Sequence, residues 1–201
     1  RPVAGAGALG QNSSIRNAAE AMALGYNATV DGGSGTASNG ALAIGKNSYV
    51  AEGSPDAVAL GTSSNALATA AIAVGSQANA SQSSAIAIGI AARATGTSSI
   101  AHGDNARASG ERATAIGFAS KADSDNGVAL GRAAYSGNSA ALVFGYGAYA
   151  GGENSIAQGS DADAEGLNAI ALGNSTISTA SNSVAIGNAA KARASSAHAL
   201  G

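Results

Sequence analysis

The apolar residues of this chain fall into one box that recurs along its length: small, apolar, Ala, apolar, Gly. The box glycines are Gly10, Gly25, Gly45, Gly61, Gly75, Gly89, Gly103, Gly117, Gly131, Gly145, Gly159, Gly173, Gly187 and Gly201. From Gly61 onward every spacing is 14 residues, and only the first three differ, at 15, 20 and 16. A period this regular marks a repeat architecture. Two residues before the glycine stands Ala in thirteen of fourteen copies, Val143 being the exception. It is flanked mostly by Ile, Val or Leu, as in Ile72 and Val74, Ile86 and Ile88, and Val184 and Ile186. This period-two alternation predicts a short strand, and the glycine ends it with a turn of positive φ. A second short segment follows, with small residues three and five after the glycine: Ala78 and Ala80, Ala106 and Ala108, Ala148 and Ala150, Ala162 and Ala164. Positions two, four and six after the glycine vary and carry many of the charges.

Each repeat therefore predicts one coil of two short strands and two turns. A single coil cannot bury its apolar face, so successive coils stack in parallel. The expected fold is all-β, a parallel solenoid of about fourteen 14-residue coils. At about 4.8 Å per coil it forms a rod roughly 65 Å long. The extra residues around Asp31–Thr36 and Gly53–Pro55 leave the stack as loops.

If the small residues face each other inside a coil, the Ile, Val and Leu positions point out of it and form two long apolar ladders. A patch of that extent implies a partner. Identical ladders are most simply buried by self-association about an axis. The expected interface comprises Ile72, Val74, Ile86, Ile88, Val128, Leu130, Leu142, Ile170, Leu172, Val184 and Ile186. His102 and Gln158 occupy ladder positions next to the glycine, and His198 lies three before it. About an axis His102 and Gln158 would be axial polar residues, with the His102 imidazoles of the copies near water or a small anion. The plainer reading is a tolerated polar residue satisfied by water. No metal and no cofactor is expected.

Composition narrows the picture. Charged residues are 11% and aromatics 3% of 201, with 29 glycines, so any core is thin. The apolar fraction of 45% and net charge of −2 argue against disorder and against nucleic acid as a partner. There is no cysteine, which excludes disulfides and thiolate metal sites. Two histidines and scattered carboxylates offer no nucleophile–base set, so no enzyme is expected. Gly5-Ala6-Gly7-Ala8-Leu9-Gly10 spells a dinucleotide fingerprint but lacks the strand–helix context, and reads as the first repeat box. Asp161, Asp163 and Glu165 alternate and form an outward acidic edge.

The outward column four residues after each glycine reads Asn65, Asn79, Arg93, Arg107, Lys121, Tyr135, Tyr149 and Asp163. Its stacked cations repel, and Asp104, Glu111 and Asp123 are placed to compensate. Arg93, Arg107, Lys121, Tyr135 and Tyr149 are the candidate ligand-binding residues, since Arg and Tyr are favoured at interfaces. The alternative is a solubilising face that blocks edge pairing.

The box Asn182-Ser183-Val184-Ala185-Ile186-Gly187 resembles that of YadA-like trimeric autotransporter adhesin heads. Near-copies are Ser84–Gly89, Asn168–Gly173 and Ser155–Gly159. The resemblance covers essentially all of residues 1–201, as a single head domain without the family's neck, coiled-coil stalk or β-barrel anchor. It implies a left-handed parallel β-roll and a homotrimer. It also implies display on the bacterial surface, held in the outer membrane through a C-terminal region outside this sequence. Relatives of this kind bind collagen, fibronectin, laminin or host cell receptors. The expected function is thus attachment to host matrix or cell-surface proteins. A structural spacer or self-associating rod, with recognition elsewhere in the full-length protein, is the alternative.

Overall fold

The computed structural model describes residues 4–34 and 37–201. The chain divides into two compact units, Arg1–Asn105 and Ala106–Gly201. Both are built from the same coil, and the described residues contain strands and turns but no helix. The fold is an all-β parallel β-solenoid of about fourteen turns, as the period predicts.

In the first unit a sheet of three-residue strands runs from Gly7–Leu9 to Ile100–His102, each strand pairing in parallel with the one a full coil later. The register is residue for residue: Ile72 stands beside Ile86 and Ile86 beside Ile100, with Ala73, Ala87 and Ala101 between them. The second sheet of this unit runs from Ser14–Arg16 to Arg93–Ala94. In the second unit the corresponding sheets run from Thr114–Ile116 to His198–Leu200 and from Arg107–Ala108 to Lys191–Ala192.

Alanine sets the gap between the sheets. Ala73, Ala87 and Ala101 from one sheet and Ala66, Ala80 and Ala94 from the other are wholly buried in the first unit; Ala129, Ala157, Ala171 and Ala122, Ala150, Ala164 repeat the arrangement in the second. The largest fully buried side chains are Val30, Val50 and Val143. With so small a side chain on both facing strands the core is one methyl layer deep from each sheet. The backbone ladder carries much of the stacking: Gly61 N–H donates to Ile44 C=O at 2.8 Å and Gly75 N–H to Leu60 C=O at 2.8 Å.

The box glycine is required by two facts together. At Gly45 φ is +125°, and a Cβ there would lie 2.6 Å from the carbonyl oxygen of Gly61 in the next coil. Where Ser or Thr stands three residues on, its hydroxyl closes the turn on the glycine carbonyl, as Ser64 does on Gly61 at 3.0 Å and Thr176 on Gly173 at 2.9 Å.

The coil also uses positive φ where no glycine stands. Asn27, Asn47, Gln77, Ala91, Ala119 and Asp161, two after a box glycine, and Ser84, Arg112, Asn126, Ala140 and Asn182, five before one, have φ between +52° and +60°. Each coil thus turns on two left-handed residues besides its glycine. The longer early repeats keep strand register: Met22 pairs with Leu42 and Leu42 with Val58. Their extra residues leave at the turns, as expected. Asp31 anchors the first loop, accepting from Arg16 at 2.8 Å and from Gly33 N–H at 2.9 Å. Gly35 and Thr36 of that loop lie outside the described residues. Ser38, buried, donates to the carbonyls of Asp31 and Ala51 and accepts from Ser54 N–H, closing the loop's base.

Candidate functional site

The two-residue strands present the outward column at their first position. Arg93 lies at the last such strand of the first unit, beside Asn79. Arg107, Lys121, Tyr135, Tyr149 and Asp163 stand side by side in the second. Arg93, Arg107 and Lys121 are exposed and the two tyrosines half-buried. The tyrosine rings pack at 5.3 Å between centroids, tilted by 31°. They lie back over glycine: a Cβ at Gly137 would meet Cζ of Tyr135 at 3.5 Å, and one at Gly151 would meet Oη of Tyr149 at 2.5 Å. Glycine six places after the box is what lets each ring lie flat along its own strand.

Below the rings the column turns acidic. Asp163 is held above the ordinary carboxylate range, first by burial and then by the charge of Glu165. Tyr149 is raised as well, first by burial and then by the charges of Tyr135, Glu165 and Asp163. One carboxylate oxygen of Asp163 is buried without a hydrogen-bond partner among the described residues. Asp161, Asp163 and Glu165 all face outward, as the alternation predicts.

Of the three acids expected to neutralise this column, one does so. Asp123 pairs with Arg107 at 3.1 Å. Glu111 instead binds Arg112 at 2.7 Å, and Asp104 accepts from the backbone N–H of Ile90 at 3.0 Å. The reason is the coil's cross-section: Glu111 and Asp104 sit on turns, away from the strand that carries the cations.

The apolar columns lie on the outer face of the three-residue strands. Ile72, Val74, Ile86, Ile88, Val128, Leu130, Leu142, Ile170, Leu172 and Val184 are half-buried and Ile186 is exposed, while the alanine between each pair is sealed inside. His102 and Gln158 continue the column next to the glycine, exposed, and His198 is exposed at the other column. At the first two coils Gly7 leaves a gap in this face. The result is an open apolar groove of about 350 Å³ lined by Leu9, Met22 and Leu24.

A third surface was not anticipated. The residue just after the box glycine sits at the tip of a turn and holds Tyr26, Ile90, Phe118, Arg132 and Tyr146. The Arg132 guanidinium lies between two rings, 5.6 Å from the centre of Phe118 and 5.5 Å from that of Tyr146. Three bulky side chains in successive repeats, at a position otherwise filled by Ser, Thr, Asn or Gln in many copies, are visible once this column is read as the others were.

A family model described as YadA head domain repeat (2 copies) matches residues 54–78, 80–106, 108–134, 139–162, 150–176 and 164–190, more than half of the chain. No curated protein matches it. The YadA heads are trimeric adhesins of proteins anchored in the outer membrane and displayed at the surface, not enzymes. With the repeat, the glycine column and the all-β solenoid in agreement, the chain belongs to the YadA head family.

Proposed function

We propose that residues 1–201 act as one adhesin head, a homotrimer that attaches to a host extracellular-matrix protein of the collagen, fibronectin or laminin class, or to a host cell receptor. The observation that carries the assembly is the pair of mostly apolar columns on the outer face of the box strands. Packing them about a common axis removes them from water, which hydrophobic burial favours in proportion to area. Their members, from Ile72 to Ile186, are the proposed subunit interface, with His102 and Gln158 near the axis.

Binding is assigned to the opposite sheet. Arg93, Arg107, Lys121, Tyr135 and Tyr149 present cations and paired rings on short, hydrogen-bonded strands. Three copies would repeat the strip three times, so weak contacts act together through avidity. The test changes all five to Ser and measures binding to an immobilised matrix panel, with sedimentation to check assembly. The variant is expected to stay trimeric and to lose binding. Unchanged binding by a trimeric variant refutes the assignment. A wild-type chain that binds nothing on matrix or on cells returns the reading to a structural spacer.

A further inference from the structure

The apolar columns that would hold the copies together have a weakness: they repeat. Sliding one copy along the axis by one coil, about 4.8 Å, sets Ile, Val and Leu against Ile, Val and Leu again. Register is weakly specified wherever a pattern is degenerate in this way, and proteins fix it with a singular polar or charged group.

The second unit holds such a group. Arg132 stands at the turn that follows strand Val128–Leu130, exposed, between Phe118 (52% exposed) and Tyr146 (53% exposed). The two rings flank the guanidinium within the column, and its N–H groups are all donors. No carboxylate among the described residues makes an ion pair with it. At the turn that precedes the same strand, on the opposite corner of the coil, stands Asp125, also exposed. One of its carboxylate oxygens accepts from the backbone N–H of Glu111 at 2.8 Å, and no cation pairs with it among the described residues. One coil therefore carries an unpaired cation at one end of its outward strand and an unpaired anion at the other.

In a closed ring of identical copies the contacts are head-to-tail, so the end of one outward strand meets the start of the next. That geometry sets Arg132 of one copy against Asp125 of its neighbour at the same height. A two-fold pairing would set Arg132 against Arg132. We propose that Arg132, clamped by Phe118 and Tyr146, pairs with Asp125 of the adjacent copy and fixes the axial register of the assembly. This rests on the ring assembly proposed above. A slip of one coil in one direction would offer Arg132 the hydroxyl of Ser139. A slip in the other would offer Glu111, whose carboxylate already binds Arg112 at 2.7 Å. Only the unslipped arrangement pairs both free charges.

The test is a charge-reversal cycle on the whole chain, with the trimer–monomer equilibrium read by sedimentation and the fold by circular dichroism. Arg132→Glu and Asp125→Arg should each raise the dissociation constant at least tenfold. The double variant should return it to within a few-fold of wild type. Neutral Arg132→Gln should fall between wild type and Arg132→Glu. Single variants as tight as wild type, or a double variant no tighter than the weaker single, overturn the pairing while leaving the trimer standing. A monomeric wild-type chain overturns both the pairing and the assembly beneath it.

Discussion

Replacing Gly61 by Ala tests whether the box glycine is fixed by backbone proximity and not by the turn alone. Gly61 has φ +135°, a conformation that L side chains rarely adopt. Its added Cβ would lie 2.5 Å from the carbonyl oxygen of Gly75 and 2.7 Å from that carbonyl's carbon. Both atoms are backbone and cannot rotate away. Moving the coils apart instead would stretch the 2.8 Å bond from Gly75 N–H to Leu60 C=O and its neighbours. Backbone strain costs about 1–3 kcal/mol. Overpacking against an unyielding neighbour costs about 1–3 kcal/mol more. The expected loss is about 2–6 kcal/mol, a large part of a domain stability of about 5–15 kcal/mol. Gly7→Ala is the matched control, since a Cβ at Gly7 meets nothing within 4 Å and Gly7 is a strand residue. There the change should be neutral or stabilise by up to about 1 kcal/mol. Guanidinium unfolding followed by circular dichroism gives the two differences. Because each coil touches only its neighbours, amide exchange should show the Gly61→Ala damage centred on the coils from Gly61 to Gly75. A Gly61→Ala loss under about 1 kcal/mol, or equal to that of Gly7→Ala, would refute the proximity argument.

Two further outcomes follow from the second unit. Ala140 is exposed at φ +54°, where an L-residue is strained by about 1–2 kcal/mol. Ala140→Gly relieves that strain while adding about 0.4–1 kcal/mol of unfolded-chain entropy. A net gain of about 0.5 kcal/mol is expected in chemical denaturation, and a loss would contradict the strain. Asp163 has a folded pKa above its ordinary value through burial and then Glu165, so the native state binds more protons than the unfolded chain across that window. Stability then falls as pH rises from the ordinary carboxylate range through the raised value. Asp163→Asn should remove this part of the fall and be no less stable than wild type at neutral pH. An unchanged pH slope between about pH 3 and about pH 7 would dismiss it.

The period, the glycine column and the inward alanines were legible because each is imposed by something identical in every coil. Ala87 and the alanines that face it are wholly buried, and a Cβ at Gly61 would lie 2.5 Å from the carbonyl oxygen of Gly75. The left-handed turn positions were not legible, because they hold residues as unlike as Asn27, Ala91, Arg112 and Asp161. No local preference explains Arg112 there. Asn27, Ala91 and Asp161 are held there by the bond from each backbone N–H to the coil below, to Gln11 at 3.0 Å, Ser76 at 2.9 Å and Tyr146 at 2.9 Å. Tertiary stacking overrides the side chain's own preference, and a sequence does not advertise that. The mistaken pairing of Glu111 with the cation column has a related origin. Distance in sequence said little about which corner of the coil a residue would occupy, and Glu111 turns at the corner away from the strand.

The same cross-section explains how a chain this repetitive can carry specific recognition. Positions that meet the next coil or the opposite sheet, namely the glycine, the alanine two before it and the small residues three and five after it, are held by contacts of backbone or methyl dimensions. The alanine two before the glycine is replaced only by Val143, and the position five after it also holds Val30 and Val50, all three fully buried. Positions four and six after the glycine lie on the outer side of the second sheet and accept Tyr149 or Glu165 without altering the coil. The apolar flanks stand between these two classes. They do not hold the coil together from within, yet they are Ile, Val or Leu in most copies, which the proposed self-association accounts for. On the proposed assignments, stability inside the coil, assembly at its outward strand and recognition at the second sheet thus draw on different residues. Substitutions at the recognition face can change what the head binds while leaving the stack and the interface intact.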